Sequence, residues 1–252
     1  MLASFAPSAV FLLGGFVGTA FGHGYVNNFT TDGVENQGFL LSYYYDIQNG
    51  VPVPQIAAWY AENLDSGFVA PDAYQTADIN CHKAATPGEI TAEVSAGGTI
   101  DFHWGPDPWP HPYGPVLTYI ANCNGDCPQA DKTTLEWVKI DASGIDYDTQ
   151  KWASGKLVDQ NGVWTTTIPS SIAAGNYVVR HEIIALHGGN SLNGAQNYPQ
   201  CFNVKVTGSG TKALPAGTLG TDLYKNDDPG ILFNPYTTIT DYPMPGPTLY
   251  TG

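Results

Sequence analysis

The sequence is poor in charge. Only 13% of its 252 residues are Asp, Glu, Lys or Arg, and 9 Lys and Arg stand against 23 Asp and Glu. The net charge of −14 repels phosphate backbones and anionic lipid, which excludes nucleic acid and membrane as partners while leaving a neutral polymer open. Long apolar runs are also lacking. The one near the N terminus, Val10 to Phe16, is too short to span a bilayer. Internal repeats, low-complexity linkers and a cysteine-rich module at the C terminus are missing too, so residues 23–252 are expected to form one domain.

What the chain has in excess is 29 Gly and 19 Pro, a composition suited to turns and irregular loops on a packed core rather than to Glu- and Lys-rich helices. Residues 1–22 carry no charged side chain and end in small residues, Ala20 and Gly22, at the positions a signal peptidase reads. They are expected to be a secretory signal cut after Gly22. The working chain then starts at His23. Its α-amine has an ordinary pKa of about 7.7–8.0 and sheds its proton near neutral pH, so amine and imidazole together can chelate a metal. Four cysteines behind a signal, Cys81, Cys123, Cys127 and Cys201, favour two disulfides over a metal cluster. Three pairings exist. The turn sequence Asn124-Gly125-Asp126 favours Cys123 with Cys127, leaving Cys81 for Cys201. Asn28-Phe29-Thr30 is a sequon that makes Asn28 a candidate glycosylation site.

Gly24 to Asn27 reads as a first strand. The stretch from there to about Tyr74 shows little periodicity and reads as an excursion outside the core. Strand patterns follow at 89–94, 99–104, 116–120, 137–140, 164–168, 176–186 and 202–206, with Ala96-Gly97-Gly98 as a turn. In 176–186 the odd positions Tyr177, Val179, Ile183 and Ala185 are apolar or aromatic, and His181 interrupts them. Short strands at this spacing predict an all-β fold, an antiparallel immunoglobulin- or fibronectin-like sandwich with long loops. The loop 105–115 holds five prolines, whose fixed φ stiffens it without regular hydrogen bonds.

Three groups stand out as donors: His23, His111 in that proline loop, and Tyr198 in Gly194-Ala195-Gln196-Asn197-Tyr198-Pro199-Gln200-Cys201. Three nitrogens with a distant phenol oxygen make a tetragonal set that suits copper over zinc, calcium or magnesium. Taken singly, a histidine in such a loop is more often a packing residue and a tyrosine near a cystine more often core. Together with Trp104-Gly105-Pro106, His111 to Tyr119, Cys123 to Cys127, Arg180 to His187, Gly194 to Cys201 and Tyr242 to Pro247, they closely resemble the fungal lytic polysaccharide monooxygenases of auxiliary activity family 9. The resemblance spans residues 23–252. One departure is that Pro112 and Tyr113 both separate His111 from Gly114-Pro115, where many members have a single residue.

The resemblance implies one copper ion held by the α-amine and ring of His23 and by His111, with Tyr198 as axial phenol. It makes His187 and Gln196 hydrogen-bonding groups beside the oxygen co-substrate, and Tyr25, Tyr236 and Tyr242 the rings that lie against the sugar. It implies a secreted, monomeric enzyme with no appended carbohydrate-binding module, which cleaves β-1,4-glucan, cellulose above all, by oxidation at C1 and/or C4. An external reductant and O2 or H2O2 would be its partners. Two other readings compete. A glycoside hydrolase needs two placed carboxylates, and although Glu182 and several Asp exist, no pair stands out. A non-catalytic carbohydrate- or copper-binding protein on the same scaffold would show no turnover with reductant.

Overall fold

The computed structural model describes residues 24–105 and 108–252; the expected signal segment and His23 lie outside the described residues. Among the described residues the strands are, in chain order, β1 (Tyr25–Thr31), β2 (Val34–Gln37), β3 (Ala92–Ser95), β4 (Thr99–Gly105), β5 (Val116–Asn122), β6 (Glu136–Ser143), β7 (Ile145–Asp146), β8 (Lys151–Trp152), β9 (Val163–Thr167), β10 (Gly175–Ala185), β11 (Gln196–Thr207) and β12 (Thr218–Leu219). Three short helices, α1 (Leu41–Gln48), α2 (Asp78–Cys81) and α3 (Ala153–Asp159), sit between them. A four-stranded sheet, β2-β1-β4-β9, faces a six-stranded sheet, β12-β6-β5-β10-β11-β3, and β7 with β8 forms a separate ribbon. This is the immunoglobulin-like sandwich. All pairings are antiparallel except β11 with β3.

Side-chain alternation sorts the residues of β10 between two cores. Tyr177, Val179, Ile183 and Ala185 point between the sheets and pack with Phe29, Ile100, Phe102 and Phe202. Val178 and Ile184 point the other way, into a second core on the outer face of the larger sheet. That second core corrects one expectation. The segment after α1 is irregular, yet Trp59, Val69, Tyr74 and Ile79 are buried in it, and Ile56, Ala57 and Ala58 in the first. Segments laid across a sheet without a ladder of their own bury apolar residues at no fixed period, so their sequence looks like loop.

Two disulfides, Cys81–Cys201 and Cys123–Cys127, hold this arrangement. The first fastens α2 to β11. There Arg180 donates from Nη2 to Ile79 O at 2.8 Å and from Nε to Asn80 O at 2.8 Å. Strand β11 starts six residues before the apolar run at 202–206 because Pro199 masks its first half. Pro199 stands opposite Glu182 of β10, and β3 pairs only with 204–207. Its missing N–H therefore falls on an edge with no neighbouring strand, where proline is tolerated.

Candidate active site

The loop that carries His111 is pressed onto the end of β10. Leu186 N donates to Tyr113 O at 2.8 Å and Ile184 N to Pro115 O at 3.1 Å. Gly114, at φ +138°, permits this contact, because a Cβ there would collide with Ile184 O. His187 lies two residues past the end of β10, so the loop and the strand end bring two imidazoles together. The rings of His111 and His187 stack, with centroids 3.9 Å apart and planes 11° from parallel. Tyr236 O–H donates to His187 O at 2.8 Å and fixes the backbone behind the stack.

Strand β11 supplies the other pair. Gln196 and Tyr198 are two residues apart, on one face, opposite Ala185 and Ile183. The Tyr198 hydroxyl donates to Gln196 Oε1 at 2.7 Å. Burial, with the Asp65 charge adding to it, pushes the Tyr198 phenol well above its ordinary pKa, so it remains a neutral O–H donor.

Trp109 joins these parts, and sequence reasoning missed it. Its ring meets Tyr198 edge-on at 4.9 Å and 90°, and His111 at 5.5 Å and 85°. Its indole N–H donates to His111 O at 2.8 Å, which turns the loop back on itself. A Cβ on Gly24 would lie 3.4 Å from the same indole. The residue after His23, the His111 loop and Tyr198 therefore all pack on one buried ring. The available signal was a lone Trp between two prolines, Pro108-Trp109-Pro110, in an otherwise polar loop. His23 itself lies outside the described residues. The donors that converge, imidazole and neutral phenol, are of a kind that copper takes; among the described residues no group of three or more His, Cys, Asp or Glu is placed to hold a metal.

The sugar-facing rings divide. Tyr25 is half-buried beside Phe39 and Leu41, and Tyr236 is 57% exposed. Tyr242 is a correction: it is 6% exposed, packs edge-on against Trp152 and Phe233 at 4.7 and 5.0 Å, and donates from its hydroxyl to Gly230 O at 2.8 Å. A ring enclosed in this way cannot lie against a polymer. Its place near the chain end gave no alternation from which to read its direction. Asn28 sits partly exposed on β1.

Two groups singled out by the sequence are structural. His181 accepts from Trp104 Nε1 at 3.0 Å through Nε2, so its Nδ1 proton goes to Thr118 Oγ1 at 3.0 Å. It stacks on Phe102 at 4.0 Å. Burial, aided by the nearby Arg180 charge, pushes its pKa down to about 3; burial likewise lowers His82, whose Nε2 donates to Gly67 O, to about 4. The unfolded chain takes up these protons below about pH 6.5 while the folded chain does not, so stability is full above that pH and falls below it. Each histidine should cost about 3 kcal/mol by pH 4. Thermal melting from pH 7 to 4 should show the decline, and His181→Gln, though less stable at pH 7, should show a shallower one. Glu182, the carboxylate a hydrolase would need, is fully buried and ion-paired to Arg180, out of reach of any substrate.

Comparison with known proteins agrees with this geometry. The family profile described as Auxiliary Activity family 9 (formerly GH61) matches residues 23–242. The chain is 59% identical over 240 residues to AA9 family lytic polysaccharide monooxygenase cel61B of Hypocrea jecorina (strain QM6a), covering 95% of this chain and 96% of that one. It is 55% identical over 245 residues to AA9 family lytic polysaccharide monooxygenase D of Botryotinia fuckeliana (strain B05.10), covering 97% and 98%. The solved structure of Cel61B, a glycoside hydrolase family 61 member from Hypocrea jecorina, superposes with a TM-score of 0.89 at 60% identity, over 90% of this chain and all of that one. No helix among the described residues is long and apolar enough to cross a membrane. With a family profile over nearly all of the chain and relatives this close in sequence and fold, the chain belongs to auxiliary activity family 9, the lytic polysaccharide monooxygenases, a family of secreted fungal metalloenzymes that are oxidoreductases.

Proposed function

We propose that this chain cleaves β-1,4-glucan, cellulose above all, oxidatively at C1 and/or C4, using one copper ion, an external reductant and O2 or H2O2. The observation that carries this reading is the convergence on Trp109 of His111, Tyr198 and the residue next to His23. The α-amine and ring of His23, the ring of His111 and the Tyr198 oxygen would hold the copper. When bound there, copper supplies the one-electron chemistry that breaking a strong C–H bond demands.

The chain's own residues do the rest. The neutral Tyr198 phenol is a weak oxygen donor, and its bond to Gln196 fixes the amide beside it. Stacked on His111, His187 presents a second imidazole on the same side, whose ring nitrogens can hold or pass a proton. Tyr236, with its hydroxyl tied back to His187, leaves its ring face for a sugar, and Tyr25 offers a second ring near the start of the working chain. The family match beginning at residue 23 supports removal of the signal after Gly22, and with it secretion and glycosylation at Asn28. The net charge suits a neutral polymer and a monomer in solution.

The test is mass spectrometry of soluble products from swollen cellulose, incubated with copper-loaded protein matured at His23 and ascorbate, beside a His23→Ala control. Cello-oligosaccharides carrying lactone, aldonic acid or ketoaldose ends, lost in the control, are the expected result. Unmodified oligosaccharides would mean hydrolysis instead, and no soluble product would point to another glucan or a binding role.

A further inference from the structure

A pocket under α1 shares no residue with the site described above. It encloses about 230 Å³ between that helix, the 53–60 segment and residues 86–89, and its walls include Phe39, Tyr43, Ile47, Val53, Tyr60 and Glu89. We propose that this pocket binds an organic ammonium ion, a methylated amine held by aromatic faces and one carboxylate.

The local sequence explains why the pocket stands open. Helix α1 contains Tyr43-Tyr44-Tyr45 and Ile47, yet none of its residues is buried. Tyr45 and Ile47 are 50% and 43% exposed. The helix meets the rest of the molecule through rings: Tyr43 approaches Phe39 edge-on at 6.0 Å and 73°, and Tyr44 lies 6.3 Å from Tyr60. Phe39 in turn meets Tyr60 at 4.9 Å and 67°. Tyr43 and Tyr60 thus stand at steep angles to Phe39, and the three rings wall the gap, with Ile47 and Val53 as its aliphatic sides.

Chemistry selects the occupant. Aromatic faces carry negative charge density, and an organic cation set against them is attracted more strongly than a neutral group of the same shape. Tyr60 adds to that density, because its hydroxyl donates to Glu62 Oε1 at 2.8 Å and so pushes electrons back into the ring. Glu89 supplies the counter-charge. Its Oε2 accepts a long bond of 3.4 Å from Ile56 N, it joins none of the ion pairs among the described residues, and no Lys, Arg or His lines the pocket. The net charge of −14 draws cations toward the whole surface. A neutral apolar molecule would leave this carboxylate without a partner. A hard metal ion would find one carboxylate among rings, too few oxygen donors to replace its water. A methylated ammonium meets both demands, with its carbons against the rings and its charge against Glu89.

The test runs no reaction, so its outcome does not turn on the oxidative reading. Copper-loaded protein matured at His23 is titrated calorimetrically, without reductant, with choline and with its neutral isostere, in which carbon replaces the ammonium nitrogen. Choline should bind about tenfold more tightly than the isostere. Glu89→Gln, at an exposed position and still able to accept from Ile56 N, should remove most of that difference. Tyr43→Leu, on a helix with no buried residue, should weaken choline by about fivefold. Both variants should unfold at close to the temperature of the unmodified protein, which separates a lost ligand contact from a lost fold. Raised salt should weaken choline and leave the isostere unchanged, since Glu89 is exposed to solvent. Equal binding of choline and isostere by the unmodified protein, no binding of choline, or a preference unchanged in both variants overturns the ammonium site.

Discussion

Replacing Glu182 by Leu is expected to destabilise the fold by about 4 kcal/mol, seen as a fall in the denaturant midpoint at an unchanged slope. The carboxylate is wholly buried and accepts four hydrogen bonds: from Arg180 Nη1 and Nη2 at 2.7 and 2.8 Å, from Asn197 Nδ2 at 2.8 Å and from the Tyr224 hydroxyl at 2.5 Å. Without it, the Arg180 guanidinium has no counter-charge. Burial works against that cation, and Glu182 with the surrounding hydroxyls more than offsets it, raising the Arg180 pKa above its ordinary value. Removing one partner of such a pair costs far more than removing both, because the remaining charge cannot reach water. The double variant Arg180→Met with Glu182→Leu should therefore recover much of the loss. A drop below about 1 kcal/mol for the single variant would mean that the pair contributes only as a surface bridge does.

The consequences of that loss reach both ends of the fold. Arg180 also holds the carbonyls of Ile79 and Asn80 in α2, so the segment fastened by Cys81–Cys201 loosens with it. Asn197 lies between Gln196 and Tyr198, and its Oδ1 accepts from the Tyr74 hydroxyl at 2.5 Å. The polar layer on the outer face of the sheet thus sets the register of two residues whose side chains face the other way. Oxidative activity should fall further than the folded fraction alone accounts for.

Much of this was legible in the sequence because strands of half-buried sheets alternate, and the sandwich has enough of them to reveal its class. The run 176–186 predicted β10 within a residue at each end, and the turn at 124–126 fits the short disulfide loop. What escaped lies where burial has no period. Trp59, Tyr74 and Ile79 are core residues in a segment without a ladder, and the first half of β11 is hidden by a proline that sits safely on an edge. Motif order grouped His111, His187, Gln196 and Tyr198. It could not show that Trp109 is the ring on which His111 and Tyr198 meet, that Tyr242 points inward, or that Tyr113 and Tyr236 form a corner. Those are facts of direction, and direction in irregular segments is set by contacts distant in the chain.

The remaining prediction separates ligand from support inside the site. His111→Ala should abolish oxidised products and weaken copper binding by about 100-fold or more, since loss of a mere supporting partner already costs about 10–100-fold. Isothermal titration with copper and product analysis read the two effects independently. Tyr198→Phe should behave differently. The ring keeps its contacts with Trp109 and Phe68, so folding and the position of the His111 loop survive, and a neutral phenol oxygen would add little to copper affinity. What is lost is the bond to Gln196 Oε1. Freed of that anchor, the amide swings, and product formation should fall by about tenfold with copper affinity nearly unchanged. If both variants bound copper like the unmodified protein, neither residue would be a ligand; if Tyr198→Phe lost copper as completely as His111→Ala, the phenol would be a donor as strong as that imidazole.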